Sequence, residues 1–224
     1  MDEKPLDTDK LQKRFYQLWQ RCAVSDAQPE AVWESLQQHY QQPHRFYHTL
    51  AHLQQCLGEL DAAGAAIEEA DATEMAIWFH DFIYLYGAPD NEARSAEVYR
   101  ELAGPHMPTD FSERVCEFIL ATQHTGNAPD QGTAFMVDLD LSGFGLPWEG
   151  YMADSEALRL EAARVSDKQY YQGKLRFLTE LQRWPSLFQT AYFRERLEAT
   201  AKANILRYST DLRAQGFGAQ ASNS

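Results

Sequence analysis

The dipeptide His80-Asp81 lies inside an otherwise apolar run from Ala76 to Tyr86, Ala-Ile-Trp-Phe-His-Asp-Phe-Ile-Tyr-Leu-Tyr. An ionised carboxylate in apolar surroundings is penalised unless it is paired, hydrogen-bonded or bound to a metal, so the pair implies a partner that the run itself lacks. A divalent metal is the expected partner; a carboxylate that only orients an imidazole is the structural alternative. Upstream, His48 and His52 are four residues apart, a spacing that sets both imidazoles on one face of a helix. Downstream, Asp138 and Asp140 stand among Phe135, Met136, Val137, Leu139 and Leu141. The candidate ligands are thus His48 or His52, then His80 and Asp81, then Asp138 or Asp140. On a helix, residues two apart point to nearly opposite sides, so one of Asp138 and Asp140 is expected to bind and the other to cap. Two imidazoles and two carboxylates form a mixed nitrogen and oxygen set that suits manganese, iron, cobalt or nickel, with magnesium or zinc also admissible. Four protein groups leave positions for water and substrate.

Helices must position these groups. Apolar residues recur at three- and four-residue steps from about Thr8 to Cys22, through Leu11, Phe15, Leu18 and Trp19, with Thr8 as the expected cap. A second helix is predicted from about Pro29 to Tyr40, and a third from about His44–Tyr47 through Leu60, carrying both His48 and His52. A fourth runs from about Ala65 to Asp81 or a little beyond. Gly87-Ala88-Pro89-Asp90 reads as a turn, after which Asp90 or Asn91 would cap a helix from Glu92 to Leu102. Further helices are expected over Phe111–Gln123, with His124 at its end, and over Glu149–Val165, Asp167–Leu181 and Leu187–Arg207. Strand-like alternation is nearly absent, so the fold is read as all-α, a compact bundle of roughly nine or ten helices without a sheet. Residues 8–210 read as one domain, and the ends, 1–7 and 214–224, as disordered.

Composition narrows the function classes. With 20 Lys and Arg against 33 Asp and Glu, the formal charge of −13 repels a phosphate polymer at long range, so no nucleic-acid polymer is expected as a partner. A small phosphorylated substrate remains compatible, because a metal site reverses the potential locally. Cys22, Cys56 and Cys116 are odd in number and widely spaced, which indicates neither a disulfide framework nor a thiolate zinc site and fits reducing, cytoplasmic surroundings. No leader-like start and no apolar stretch of membrane-spanning length is present, so no membrane partner is expected. A homodimer stays open.

Together, Tyr47-His48-x-x-x-His52, Trp78-Phe79-His80-Asp81, Asp90-Asn91-Glu92 followed by Ser95-Ala96, and Asp138-x-Asp140-Leu141 resemble the HD superfamily of metal-dependent phosphohydrolases. More narrowly, they look like a bacterial branch whose substrates are mostly unassigned. The resemblance covers most of the chain. It implies an HD-like helical core with additional N- and C-terminal helices, and His80 and Asp81 as ligands. For the first ligand it favours His52, since Cys56, Leu57 and Leu60 supply the apolar positions that follow the family's early histidine; His48 would then orient a ligand or face the substrate. For the last it favours Asp140, with Asp138 capping. His124 resembles an extra histidine that some members use for a second metal or a substrate phosphate, against a plain helix-end role. Arg45 would grip a phosphate in bidentate fashion, and Asn91 and Glu92 would act beside the metal or in proton transfer. Arg159 and Glu161 look like family positions, whereas Lys174 stands where arginine is expected.

The implied activity is hydrolysis of a small phosphate ester or anhydride, nucleotides among the candidates, by a metal-activated water that Asp81 helps to orient. Two other classes compete: a catalytically silent metal- or nucleotide-binding sensor on the same fold, and a structural helical protein with a satisfied His-Asp dyad. Convergence of the candidate ligands on one point would remove the last.

Overall fold

The computed structural model describes residues 6–218. Among these, ten α-helices and three short 3-10 turns form, with no strand, so the protein is all-α. By packing it divides into two compact units, one running to Asp140 and the other starting at Leu141, where the sequence had suggested no boundary. No described helix is long and apolar enough to cross a membrane.

The first unit is built on α4 (Ala70–Phe79), whose residues from Ala72 to Phe79 are all buried. A helix buried around its circumference is wrapped on every side, and its buried Glu74 is paired with Arg14 at 2.9 Å. Its neighbours are α1 (Thr8–Cys22), α3 (Leu50–Ala63), α5 (Asn91–Leu102) and α6 (Thr109–Ala121). With α2 (Glu30–Tyr40), they enclose an aromatic cluster in which Phe15 and Trp33 meet Trp78 at centroid distances of 5.6 and 6.0 Å. The spaced apolar residues of α1 are the buried ones, as their periodicity requires. Its cap is Asp7 rather than Thr8: the Asp7 carboxylate accepts from Lys10 N at 3.0 Å.

The last helix of this unit, α7 (Gln131–Leu141), starts where Asp130 accepts from Thr133 N at 2.9 Å. Arg114 clamps that start, donating to Asp130 and to Glu69 at 2.7 Å each, and holds the Asp130 carboxyl down at about 2. Gly132 lies under this clamp. A Cβ there would stand 2.5 Å from Glu69 Oε2.

In the second unit, α8 (Trp148–Glu161), α9 (Asp167–Leu181) and α10 (Ala191–Ala214) gather about the turn Ser142–Gly145. Asn204 ties α10 to that turn by donating to the carbonyls of Phe144 and Leu146 at 3.0 and 2.8 Å. Arg159 closes the α8–α9 connection by donating to Asp167 at 2.6 Å and to Val165 O at 2.9 Å. The last helix begins at Ala191 and not near Leu187, because the amides of Leu187 and Phe188 donate to the Glu198 carboxylate and Thr190 provides the cap. The ends expected to be disordered fall, for residues 1–5 and 219–224, outside the described residues. Of the remainder, Asp7 caps α1 and Phe217 packs on Tyr171 at 4.9 Å.

Candidate metal centre

Four side chains, His52, His80, Asp81 and Asp140, each offer one ligand atom, and these atoms all lie within 4.8 Å of one another. His52 comes from the first turn of α3, which Thr49 caps by accepting from Ala51 N at 3.3 Å. Asp140 comes from the end of α7. His80 and Asp81 lie past the end of α4, so the helix expected to reach Asp81 stops two residues short of it. The stop is a change in hydrogen bonding. His80 N still bonds to Ala76 O at 2.8 Å, but the His80 ring takes the next free carbonyl, Ile77 O, at 2.9 Å.

That ring contact turns His80 Nε2 toward the cluster, as a metal-binding imidazole requires when its other nitrogen is engaged by a backbone carbonyl. Nε2 lies 2.9 Å from Asp81 Oδ2, 3.5 Å from Asp140 Oδ1 and 3.3 Å from His52 Nε2. His52 Nε2 is in turn 3.3 Å from Asp140 Oδ1 and 3.7 Å from Asp81 Oδ2. Two imidazole nitrogens this close cannot face each other with bare lone pairs, and two carboxylates converge on the same spot. The arrangement therefore calls for positive charge at its centre, from a proton or a metal ion. For His80, burial favours the neutral ring, but Asp81 and Asp140 outweigh it and hold the imidazole well above its usual range. For Asp81, burial pushes the carboxyl up, and His80 and His48 override it, holding it well below the carboxylate range. Asp140 is held low in the same way, against its burial, by His124, His52 and His80. The donor set, the burial and the orientation of His80 all fit a divalent ion.

Around these four, the expectations divide. Asp138 is fully buried inside α7 and falls outside the group. The two-residue offset from Asp140 turns it away. His48 does not share a helix face with His52; it precedes Thr49 in a turn. It nevertheless approaches the cluster, with Nε2 4.0 Å from Asp81 Oδ2 and its ring stacked on Tyr84 at 3.7 Å. His124 donates to Asp140 Oδ2 at 2.8 Å through Nε2, while its Nδ1 is buried and has no hydrogen-bond partner among the described residues. Its backbone is left-handed, with φ of 53°. Glu92, in the first turn of α5, is pushed above the usual carboxylate range by burial, and Asp81 and Asp140 reinforce the push.

Two expected substrate-binding residues serve the backbone instead. Arg45 is buried, and its guanidinium donates to the carbonyls of Asp81 at 2.7 Å, Phe82 at 2.8 Å and His48 at 3.2 Å. A phosphate grip does not fit that geometry. Asn91 is also buried, and neither it nor Asp90 caps α5 by a side-chain bond; its amide pairs with both Leu85 N and Leu85 O at 3.0 Å. Between these points, Ser95 Oγ accepts from Ile83 N at 3.0 Å and donates to Ile83 O at 3.3 Å. Tyr84 and Ser95 were not singled out from the sequence for these roles. The only signal available was the length of the apolar run after Asp81, where backbone groups without helix or sheet must find side-chain partners.

Compared with protein-family profiles, with curated proteins and with solved structures, the chain gives no match to any of the three.

Proposed function

We propose that the protein is a metal-dependent phosphohydrolase of HD type acting on a small phosphate ester or anhydride. The observation that supports this reading is the convergence of His52, His80, Asp81 and Asp140 from α3, the turn after α4, and α7. A divalent ion held by those four groups would supply Lewis acidity toward water and a phosphoryl oxygen.

The chain's own residues would do the rest. Asp81 and Asp140 offer the anionic charge and His52 and His80 the neutral nitrogens, so the site carries little net charge when loaded and admits an anionic substrate. Glu92, whose carboxyl burial raises above its ordinary range, would serve as the acid toward a leaving oxygen. His124 orients Asp140 through their 2.8 Å contact. His48, fixed on Tyr84 beside Asp81, faces the substrate side.

The test is a hydrolysis screen with Mn, Fe, Co, Ni, Mg and Zn supplied in turn, over mono-, di- and cyclic nucleotides, sugar phosphates and an aryl phosphate, beside Asp81→Ala. Metal-dependent phosphate release absent from the variant is the expected result. Metal uptake with no turnover on any substrate would replace the enzyme by a sensor on the same scaffold.

A further inference from the structure

We propose that Arg45 is a positioning residue of the metal centre: it sets the place of the Asp81 carboxylate by gripping the peptide that carries it. The inference rests on the metal-binding reading of the cluster. The end of a helix leaves carbonyls without intrahelical partners, and a buried end must satisfy them from elsewhere. At α4, His80 N takes Ala76 O, the His80 ring takes Ile77 O, and Tyr40 OH takes Trp78 O at 3.1 Å. Phe82 N takes Phe79 O at 3.0 Å. Further along, Asp81 O and Phe82 O accept from the two terminal nitrogens of Arg45 at 2.7 and 2.8 Å. The nitrogen that holds Asp81 O also reaches His48 O at 3.2 Å, and Nε donates to Gln42 Oε1 at 3.2 Å.

One planar guanidinium thereby joins the segment before α3, which carries His48, to the segment after α4, which carries Asp81. Two rings lie against it, Tyr40 at 5.1 Å and Tyr84 at 5.8 Å from the guanidinium carbon. Tyr84 also stacks on His48, so the same group lies between the cluster's neighbour and its loop-borne ligand. Lysine keeps the charge but not the fork that spans successive carbonyls. Asp81 is then free to rotate about a peptide held at one point fewer, and its oxygen drifts from His80 and Asp140.

The experiment uses the full chain, stripped of metal, titrated with Co2+ and followed by its visible absorption spectrum, for the parent, Arg45→Lys, Arg45→Met and the control Val115→Ala. Val115 is a buried core residue of α6, and its truncation lowers stability without touching the cluster. Both Arg45 variants are expected to weaken Co2+ binding by about 10- to 100-fold and to change the shape of the spectrum, while the control keeps the parent's affinity and spectrum. A parent that takes up no Co2+ overturns the metal reading itself. A parent that binds, with an Arg45→Lys that binds equally and gives the same spectrum, overturns the positioning role alone. An Arg45→Lys that is unfolded without metal also overturns it, since Arg45 would then be needed for the fold as a whole.

Discussion

His52 and Asp140 reach the cluster from regular helices, whereas His80 and Asp81 reach it from a segment that has already left its helix. On the helical side, the backbone keeps its regular repeat, so the place of the side chain follows from its position along the helix. On the other side, no such repeat exists. The main chain from Trp78 to Leu85 is held by Tyr40, Arg45, Ser95 and Asn91, which come from α2, the segment after it, and α5. Half of the site is therefore carried by regular helices and half by a segment whose main chain is held by side chains from other elements.

The largest expected effects do not distinguish the halves. Asp81→Asn and Asp140→Asn each keep the side-chain volume and remove a charged ligand, so each is expected to weaken metal binding by more than the roughly 100-fold that loss of an outer partner causes. Calorimetric titration of the metal-free protein checks this, and near-parent affinity in either variant would remove that carboxylate from the ligand set.

The supports should separate the halves. Asn91→Leu strands the N–H and C=O of Leu85, a loss of about 1–3 kcal/mol. It is also expected to weaken metal binding about 10-fold. Thr49→Ala removes the cap of α3 and should lower stability by about 1 kcal/mol while leaving metal affinity unchanged, because the helix still carries His52. Thermal melts beside metal titrations measure both quantities. Equal losses of affinity in the two variants would erase the distinction between the supports.

The smallest effect lies in pH dependence. His80 ordinarily titrates at 6.5 and is held higher when folded, so its contribution to metal-free stability is complete below 6.5 and is lost as pH rises through the folded value. Asp81 ordinarily titrates at 3.8 and is held lower, so its contribution is present above 3.8 and is lost as pH falls through the folded value. Metal-free stability from the cluster is thus greatest between those two values. Bound metal displaces the His80 proton, so the rise in Tm on adding Co2+ should grow with pH over the range in which metal-free stability declines. Melts across pH 4 to 9, with and without metal, would show the two trends; parallel curves would contradict a shared position for proton and metal.

The same division governs what could be read from the sequence. The buried faces of α1 and α2 follow directly from apolar spacing, and the two-residue offset between Asp138 and Asp140 foretold that only one would join the cluster. Residue type and order pointed to His80 and Asp81 with one of His48 and His52 and one of Asp138 and Asp140; the choice of His52 and Asp140 came only with the resemblance. The end of α4 was not, because the apolar run continues to Tyr86 with no glycine or proline before Gly87 to announce a stop. The roles of Arg45 and Asn91 were hidden for a related reason. A cation beside two histidines and an amide beside a carboxylate look like substrate contacts, while the carbonyls they satisfy belong to backbone that no side-chain pattern describes. The packing division at Asp140 left no composition shift either, since α7 runs without interruption through that position.

The left-handed backbone at His124 has one further consequence. A residue with a Cβ is disfavoured there relative to glycine by about 1–2 kcal/mol, so the chain keeps a histidine at a position whose conformation suits a residue with no side chain. Alanine is consequently the reference for the imidazole: it shares the backbone penalty with histidine, so the penalty cancels and the loss in His124→Ala reports the contact with Asp140. Glycine discards the contact and the penalty together and also loosens the unfolded chain, so His124→Gly combines three effects of differing sign.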